Sequence, residues 1–134
     1  LPDFEVGLAP PVLPNAWREG NCGVPGFVSH AADRPGPHVV LMSLIHGNEL
    51  AGAIVLADLL EKGVRPLRGR LTFGFANLAA FDRFDPAQPT ASRFVDEDLN
   101  RLWDEAVLDS PRQALELARA RAMRPIVDSA DLLL

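Results

Sequence analysis

The sequence predicts an α/β domain whose mixed sheet is flanked by helices, and three observations carry that prediction. An apolar run at residues 39–45 precedes a helix-like stretch at 48–62, which precedes a second strand-like run at 71–77. Strand, helix and strand joined by short connections form a crossover unit with a parallel pair inside it. Residues 24–29 read as a further strand, separated from 39–45 by Asp33, Arg34, Pro35, Gly36 and Pro37. That spacing predicts a hairpin, which adds an antiparallel pair to the parallel one. At 134 residues, 48% hydrophobic and 23% charged, the chain fits one ordinary globular domain, 1–134.

Each element has its own signal. Pro10, Pro11 and Pro14 remove backbone donors, so residues 1–20 are expected as an extended arm. In the stretch 48–62, Asn48 suits an N-cap, Glu49 complements the helix dipole and Gly63 stands at the end. Residues 78–94 contain Pro86 and Pro89 and keep no period, the pattern of a long loop, which in a small domain is often functional. Ser110, Pro111 and Gln113 form a capping pattern that predicts a helix from Ser110 to near Pro125. Residues 130–134 then begin a further strand.

Composition also excludes function classes. Thirteen basic against eighteen acidic residues give a net charge of −5, which lacks the electrostatic footprint of a nucleic-acid binder. The single cysteine, Cys22, cannot close an intrachain disulfide, which makes a reducing, cytoplasmic setting the expectation. The apolar run 39–45 is far shorter than the roughly 20 residues that span a bilayer, so no membrane partner is expected. The chain opens on Leu1 and closes on Leu132, Leu133 and Leu134, and is expected to be a piece of a longer polypeptide.

The chemistry concentrates at two places. Ile45, His46, Gly47, Asn48 and Glu49 put a histidine at the end of a buried strand and a carboxylate at the next helix start. At 100° per residue Glu49 falls on the side of Ala53, Leu56 and Leu60, opposite Asp58. A carboxylate on an apolar face needs a partner, and a metal shared with His46 would supply one. The spacing also suits any helix start. The second place is the segment from Ser92 to Trp103, after the long loop.

Taken together, "HGNELAGA", "FANLAAFDRF" and "SRFVDEDLNRLW" resemble the succinylglutamate desuccinylase and aspartoacylase family, from about residue 36 to the C-terminus. The resemblance implies a zinc carboxypeptidase-like fold, here truncated, and hydrolysis of the amide bond of an N-acyl amino acid or related small substrate with one Zn2+ per complete chain. It implies that His46 and Glu49 are two of three zinc ligands and that Arg93 polarises the scissile carbonyl. Asn100 and Arg101 are then expected to hold the substrate carboxylate, and Asp98 to accept a hydrogen bond from the non-ligating nitrogen of His46. Guanidinium forks suit carboxylates, and a fixed cation near a developing oxyanion lowers the barrier.

The plainer possibilities are that Asp96 or Asp98 caps a short helix near Leu99 and that Arg93 and Arg101 are solvated. Arg112, Arg119, Arg121 and Arg124 are expected as solvated charges, being spread over several helix faces. His38 starts the strand that His46 ends, roughly 26 Å away at about 3.3 Å per residue, so it cannot share the metal. His30, near the turn, is excluded by the same geometry. A hairpin pairing 30 with 38 sets Cys22 opposite 46 and makes it a thiolate candidate. The resemblance instead implies a third ligand histidine and a general-base glutamate beyond Leu134, so the isolated chain is expected to be inactive and to self-associate through its uncovered sheet edge. Competing readings are a metallocarboxypeptidase-like peptidase and a non-catalytic α/β binding module whose Glu49 is only a helix-start charge.

Overall fold

The computed structural model describes Gly7 and residues 9–134. Four strands form one mixed sheet in the order β1-β3-β2-β4. β2 (His38–Ser43) runs parallel to β3 (Arg70–Phe75) and to β4 (Leu132–Leu133), while β1 (Phe27–Ala31) runs antiparallel to β3. The helix α2 (Leu50–Glu61) connects β2 to β3, which is the predicted crossover.

Period-2 alternation divides the strands between two cores. On one face Val28, Leu41, Leu71, Phe73 and Phe75 pack with Leu50, Ala53, Leu56 and Leu60 of α2. On the other, Phe27, Met42 and Ala76 pack with Leu117, Ala120 and Met123 of α5 (Leu115–Asp128), which follows the short helix α4 (Glu105–Leu108). Gly74 lies under the Phe27 ring, where a Cβ would collide with the ring carbons, so its lack of a side chain is what lets β1 lie against β3.

The predicted hairpin does not form. β3 inserts between β1 and β2, and the turn between those strands straddles Gly69 instead of closing. Gly69 donates to the Arg34 carbonyl and accepts from the Ala32 N–H, and Arg70 donates to Pro37 O. Pro35 and Pro37 have no N–H with which to close a ladder across the turn, so a neighbouring strand supplies the donors. With that register gone, the argument setting Cys22 opposite His46 falls. Cys22 is exposed and its thiol contacts the Phe27 carbonyl at 3.4 Å.

Three other expectations change. The arm is not extended throughout: Asn15–Glu19 is a helical turn, α1, although residues 1–6 and 8 of the arm lie outside the described residues. Pro14 stands just ahead of α1, where a missing N–H costs nothing, and Trp17 stacks on Phe75 at 6.5 Å. The loop after β3 opens with a short helix, α3 (Leu78–Phe81), capped by the Asn77 side chain. The helix predicted from Ser110 begins at Leu115 and runs through Pro125 to Asp128.

A tertiary contact overrides the local capping pattern there. The Asp96 carboxylate accepts from Leu115 N at 2.8 Å, and the Arg121 guanidinium gathers the carbonyls of Leu108, Ser110 and Arg112, holding 109–113 outside the helix. Arg121 is therefore no solvated charge, and neither is Arg119. The latter donates to the carbonyls of Ala76, Phe75 and Pro25, and burial pushes its pKa down to about 10. Arg124 and Arg112 do pair at the surface, with Asp109 and Glu97. Among the described residues no helix is long and apolar enough to cross a membrane.

Candidate functional site

The site is built where the chain leaves β2. Leu44 has a left-handed φ of 56°, uncommon for a bulky side chain, and it turns the backbone so that residues 45–49 cross the end of the sheet. Gly47 is wedged beneath this turn: a Cβ there would run into the Ala80 and Phe81 backbone and the Ser92 carbonyl. Gly47 N also donates to Arg93 O at 3.1 Å, which ties the turn to the segment that brings Arg93 and Asp98. That segment continues into a 3-10 turn at Leu99–Arg101, capped by Asp98, whose side chain accepts from Asn100 N.

His46 lies between two carboxylates. Its Nδ1 is 2.7 Å from Glu49 Oε1 and its Nε2 is 2.8 Å from Asp98 Oδ1. Arg93 completes the group, with Nη1 at 3.9 Å from Glu49 and Nη2 at 3.6 Å from Asp98. The hydrogen bond from His46, with the Asn100 N–H and the nearby Arg93 charge, holds the Asp98 carboxyl below the usual carboxylate range against the opposing effect of burial.

A neutral imidazole offers one N–H and one lone pair. Because both His46 nitrogens face carboxylate oxygens, the ring either carries a second proton or lends its Nδ1 lone pair to a cation shared with Glu49. Two donors of one ion with bonds of about 2 Å each must lie within roughly 4 Å of one another, and the 2.7 Å separation satisfies this. His46 and Glu49 thus fit a metal as a two-donor set. Among the described residues there is no group of three His, Cys, Asp or Glu able to hold one.

Glu49 reaches this position differently from the helical-wheel expectation. It precedes the first residue of α2, and its side chain is 55% exposed instead of lying on the apolar face. Asn48 makes no cap, and α2 starts without a side-chain cap bond. Asn100 lines an open cavity of about 540 Å³ beside Ile45, Met42 and Trp103. Arg101 is exposed, its backbone N–H donating to the Asp98 carbonyl at 2.9 Å and its Nη1 to the Asn100 carbonyl, and no hydrogen bond or ion pair joins its side chain to His46, Glu49, Arg93 or Asp98. The structure therefore gathers four of the six expected side chains directly and sets Asn100 alongside. His38 sits at the far end of β2, bonded to Thr72 and Ser129.

Residues 35–131 match the succinylglutamate desuccinylase/aspartoacylase catalytic domain. The chain belongs to that family. The succinylglutamate desuccinylase of Pseudoalteromonas atlantica is 36% identical over 110 residues, which cover 77% of this chain and 29% of that protein. Among solved structures, succinylglutamate desuccinylase/aspartoacylase from Rhodobacter sphaeroides aligns with a TM-score of 0.59 at 24% identity, covering 80% of this chain and 31% of that one. The product-bound ectoine utilization protein EutE (DoeB) from Ruegeria pomeroyi aligns with a TM-score of 0.54 at 23% identity, covering 80% and 30%. The structural likenesses show that this desuccinylase/aspartoacylase chain shares the fold of those two proteins, a mixed sheet flanked by helices, and it spans about three-tenths of the length of each relative.

The residue that sequence reasoning missed in this desuccinylase/aspartoacylase chain is Glu116. It is fully buried in the first turn of α5, and its carboxylate accepts from the backbone N–H groups of Val95, Asp96 and Glu97 and from the Asn77 amide. The signal was present, because Glu116, Ala120 and Met123 share one helical face.

Proposed function

We propose that this chain carries the metal-binding and carbonyl-orienting part of a zinc-dependent hydrolase that cleaves the amide bond of an N-acyl amino acid. The observation that supports this most is the His46 ring held between Glu49 on Nδ1 and Asp98 on Nε2. In this reading His46 and Glu49 hold zinc, which when bound supplies Lewis acidity. Asp98 accepts a hydrogen bond from the Nε2–H and so leaves the Nδ1 lone pair free for the ion. The Arg93 guanidinium, beside both carboxylates, orients the scissile carbonyl and opposes charge developing on its oxygen.

Asn100 and Arg101 take the substrate carboxylate, Arg101 by swinging its exposed fork toward the Asn100 side of the site. A catalytic zinc uses three protein ligands. The proposal therefore places the third donor, and the general base, in polypeptide C-terminal to Leu134.

The test compares the 134-residue chain with a longer polypeptide that continues past Leu134, for zinc content and for release of glutamate from N-succinylglutamate. The longer form is expected to hold one zinc and to turn over, the shorter to bind zinc weakly and to be inactive. A longer form with neither zinc nor turnover contradicts the proposal and favours a non-catalytic binding role, and hydrolysis that survives His46→Ala contradicts the place of His46 in the site.

A further inference from the structure

We propose that Glu116 is a positioning residue of this site, whose carboxylate fixes the segment 95–97 and thereby sets Asp98 against His46 and Arg93 beside Glu49. The inference rests on the functional reading above only for what the site does. The geometry of the clamp is independent of it.

Glu116 Oε1 accepts from Val95 N at 2.6 Å and Asn77 Nδ2 at 3.2 Å, while Oε2 accepts from Asp96 N at 2.9 Å and Glu97 N at 3.1 Å. Three consecutive amides thus converge on one buried carboxylate. The segment binds back, because Asp96 Oδ2 accepts from Leu115 N at 2.8 Å and Glu97 pairs with Arg112 at 2.6 Å. Residues 95–97 are held at both faces of the α5 start.

The site residues flank this clamp. Arg93 lies two positions before Val95 and Asp98 one position after Glu97, and Gly47 N reaches Arg93 O from the His46 turn. A shift of the clamped segment therefore moves the partner of His46 Nε2 and the neighbour of Glu49 together. Glu116 itself contacts neither His46 nor Glu49, so it acts through the segment.

The carboxylate is chemically required. Four donors need an acceptor-only group with two oxygens, whereas a glutamine offers one oxygen and an NH2 that would face two N–H groups in either orientation. Asn77 cannot relieve this by flipping, because its own oxygen already accepts from Ala80 N. Burial works to raise the Glu116 pKa, but the backbone N–H groups and Asn77 outweigh it and hold the carboxyl below its ordinary range.

The test uses Glu116→Gln, with Met123→Ala as a control that weakens the same helix without touching the clamp and Asp96→Ala as an exposed substitution that loosens the clamp from the other side. The probe is zinc alone, titrated while the His46 ring nitrogens are followed by NMR, alongside amide exchange at 95–98. Glu116→Gln is expected to weaken zinc binding by about 10-fold or more. It should also disturb the Nε2–H signature of His46 and speed exchange at 95–98, while Met123→Ala at similar loss of Tm leaves all three near wild type.

Asp96→Ala should shift the same readouts in the same direction by less, and it decides the matter where Glu116→Gln does not fold. Unchanged ring signature and zinc affinity in the clamp variants, or equal changes in Met123→Ala, overturn the inference. A wild-type chain that takes up no zinc defeats the functional reading instead, and Glu116 then stands or falls on the ring signature and exchange.

Discussion

Glu49 and Glu116 are the same residue type at the same kind of place, the start of a helix, yet one side chain is 55% exposed and the other residue fully buried. Glu49 has a single close partner, His46 Nδ1, and keeps spare acceptor capacity. Glu116 has all of its capacity filled by four donors. A carboxylate with open lone pairs can take a cation or a substrate group, whereas a saturated one can only hold structure. The two separate the tasks of binding and of fixing what binds.

The sharpest way to break that contrast is to remove each carboxylate and measure stability. Glu116→Ala removes the acceptor from one buried and three part-buried N–H donors, and at up to about 1–3 kcal/mol for each such group, less where water reaches it, the expected loss is about 3–5 kcal/mol by urea unfolding. A loss below about 1 kcal/mol would mean that water or a neighbour replaces the carboxylate, and the contrast collapses. Asp98→Ala comes next, acting on function: zinc affinity should fall by about 10- to 100-fold, because the His46 tautomer is no longer fixed. Unchanged affinity reduces Asp98 to the cap of the 3-10 turn.

Acid sharpens the comparison further. The Glu116 and Asp98 carboxyls both lie below their ordinary range in the folded chain. The unfolded chain therefore binds protons first as pH falls, so the stabilisation from both groups is fully present above about pH 4–5 and is lost as pH drops through their lowered values. Glu116→Gln should flatten that acid limb in urea unfolding measured from pH 6 to 2, and an unaltered limb would assign the acid sensitivity elsewhere. The smallest effect is expected for Glu49→Gln, within about 0.5 kcal/mol in stability, as for other half-exposed sites, although zinc binding should weaken.

How much of this was legible in the sequence follows the range of the interactions. The crossover of β2, α2 and β3 was readable because apolar periodicity and turn residues are local signals. The partner of β1 was not, because the choice between β2 and β3 depends on how Gly69 slots into the turn at 32–37. The start of α5 failed for the same reason: Asp96, 19 residues away in sequence, supplies the cap that Ser110 was expected to give.

At the site, His46, Glu49, Arg93 and Asp98 could be named from their motifs, but the exposure of Glu49 could not, since helical-wheel reasoning was applied to a residue that precedes the helix. The same wheel applied to 115–128 points at Glu116 directly. Arg119 was misread for want of any local cue that three carbonyls at the end of β3 and near β1 would need donors.

In the proposed reading His46 and Glu49 form a cation site whose ligand atom is selected by Asp98. Following the His46 ring nitrogens by NMR through a zinc titration of the 134-residue chain tests it most directly. The Nδ1 resonance is expected to move with zinc while Nε2 stays protonated and bonded to Asp98, and Glu49→Gln is expected to weaken the response. Movement at Nε2 with Nδ1 unchanged, or no response at any zinc concentration, would contradict it.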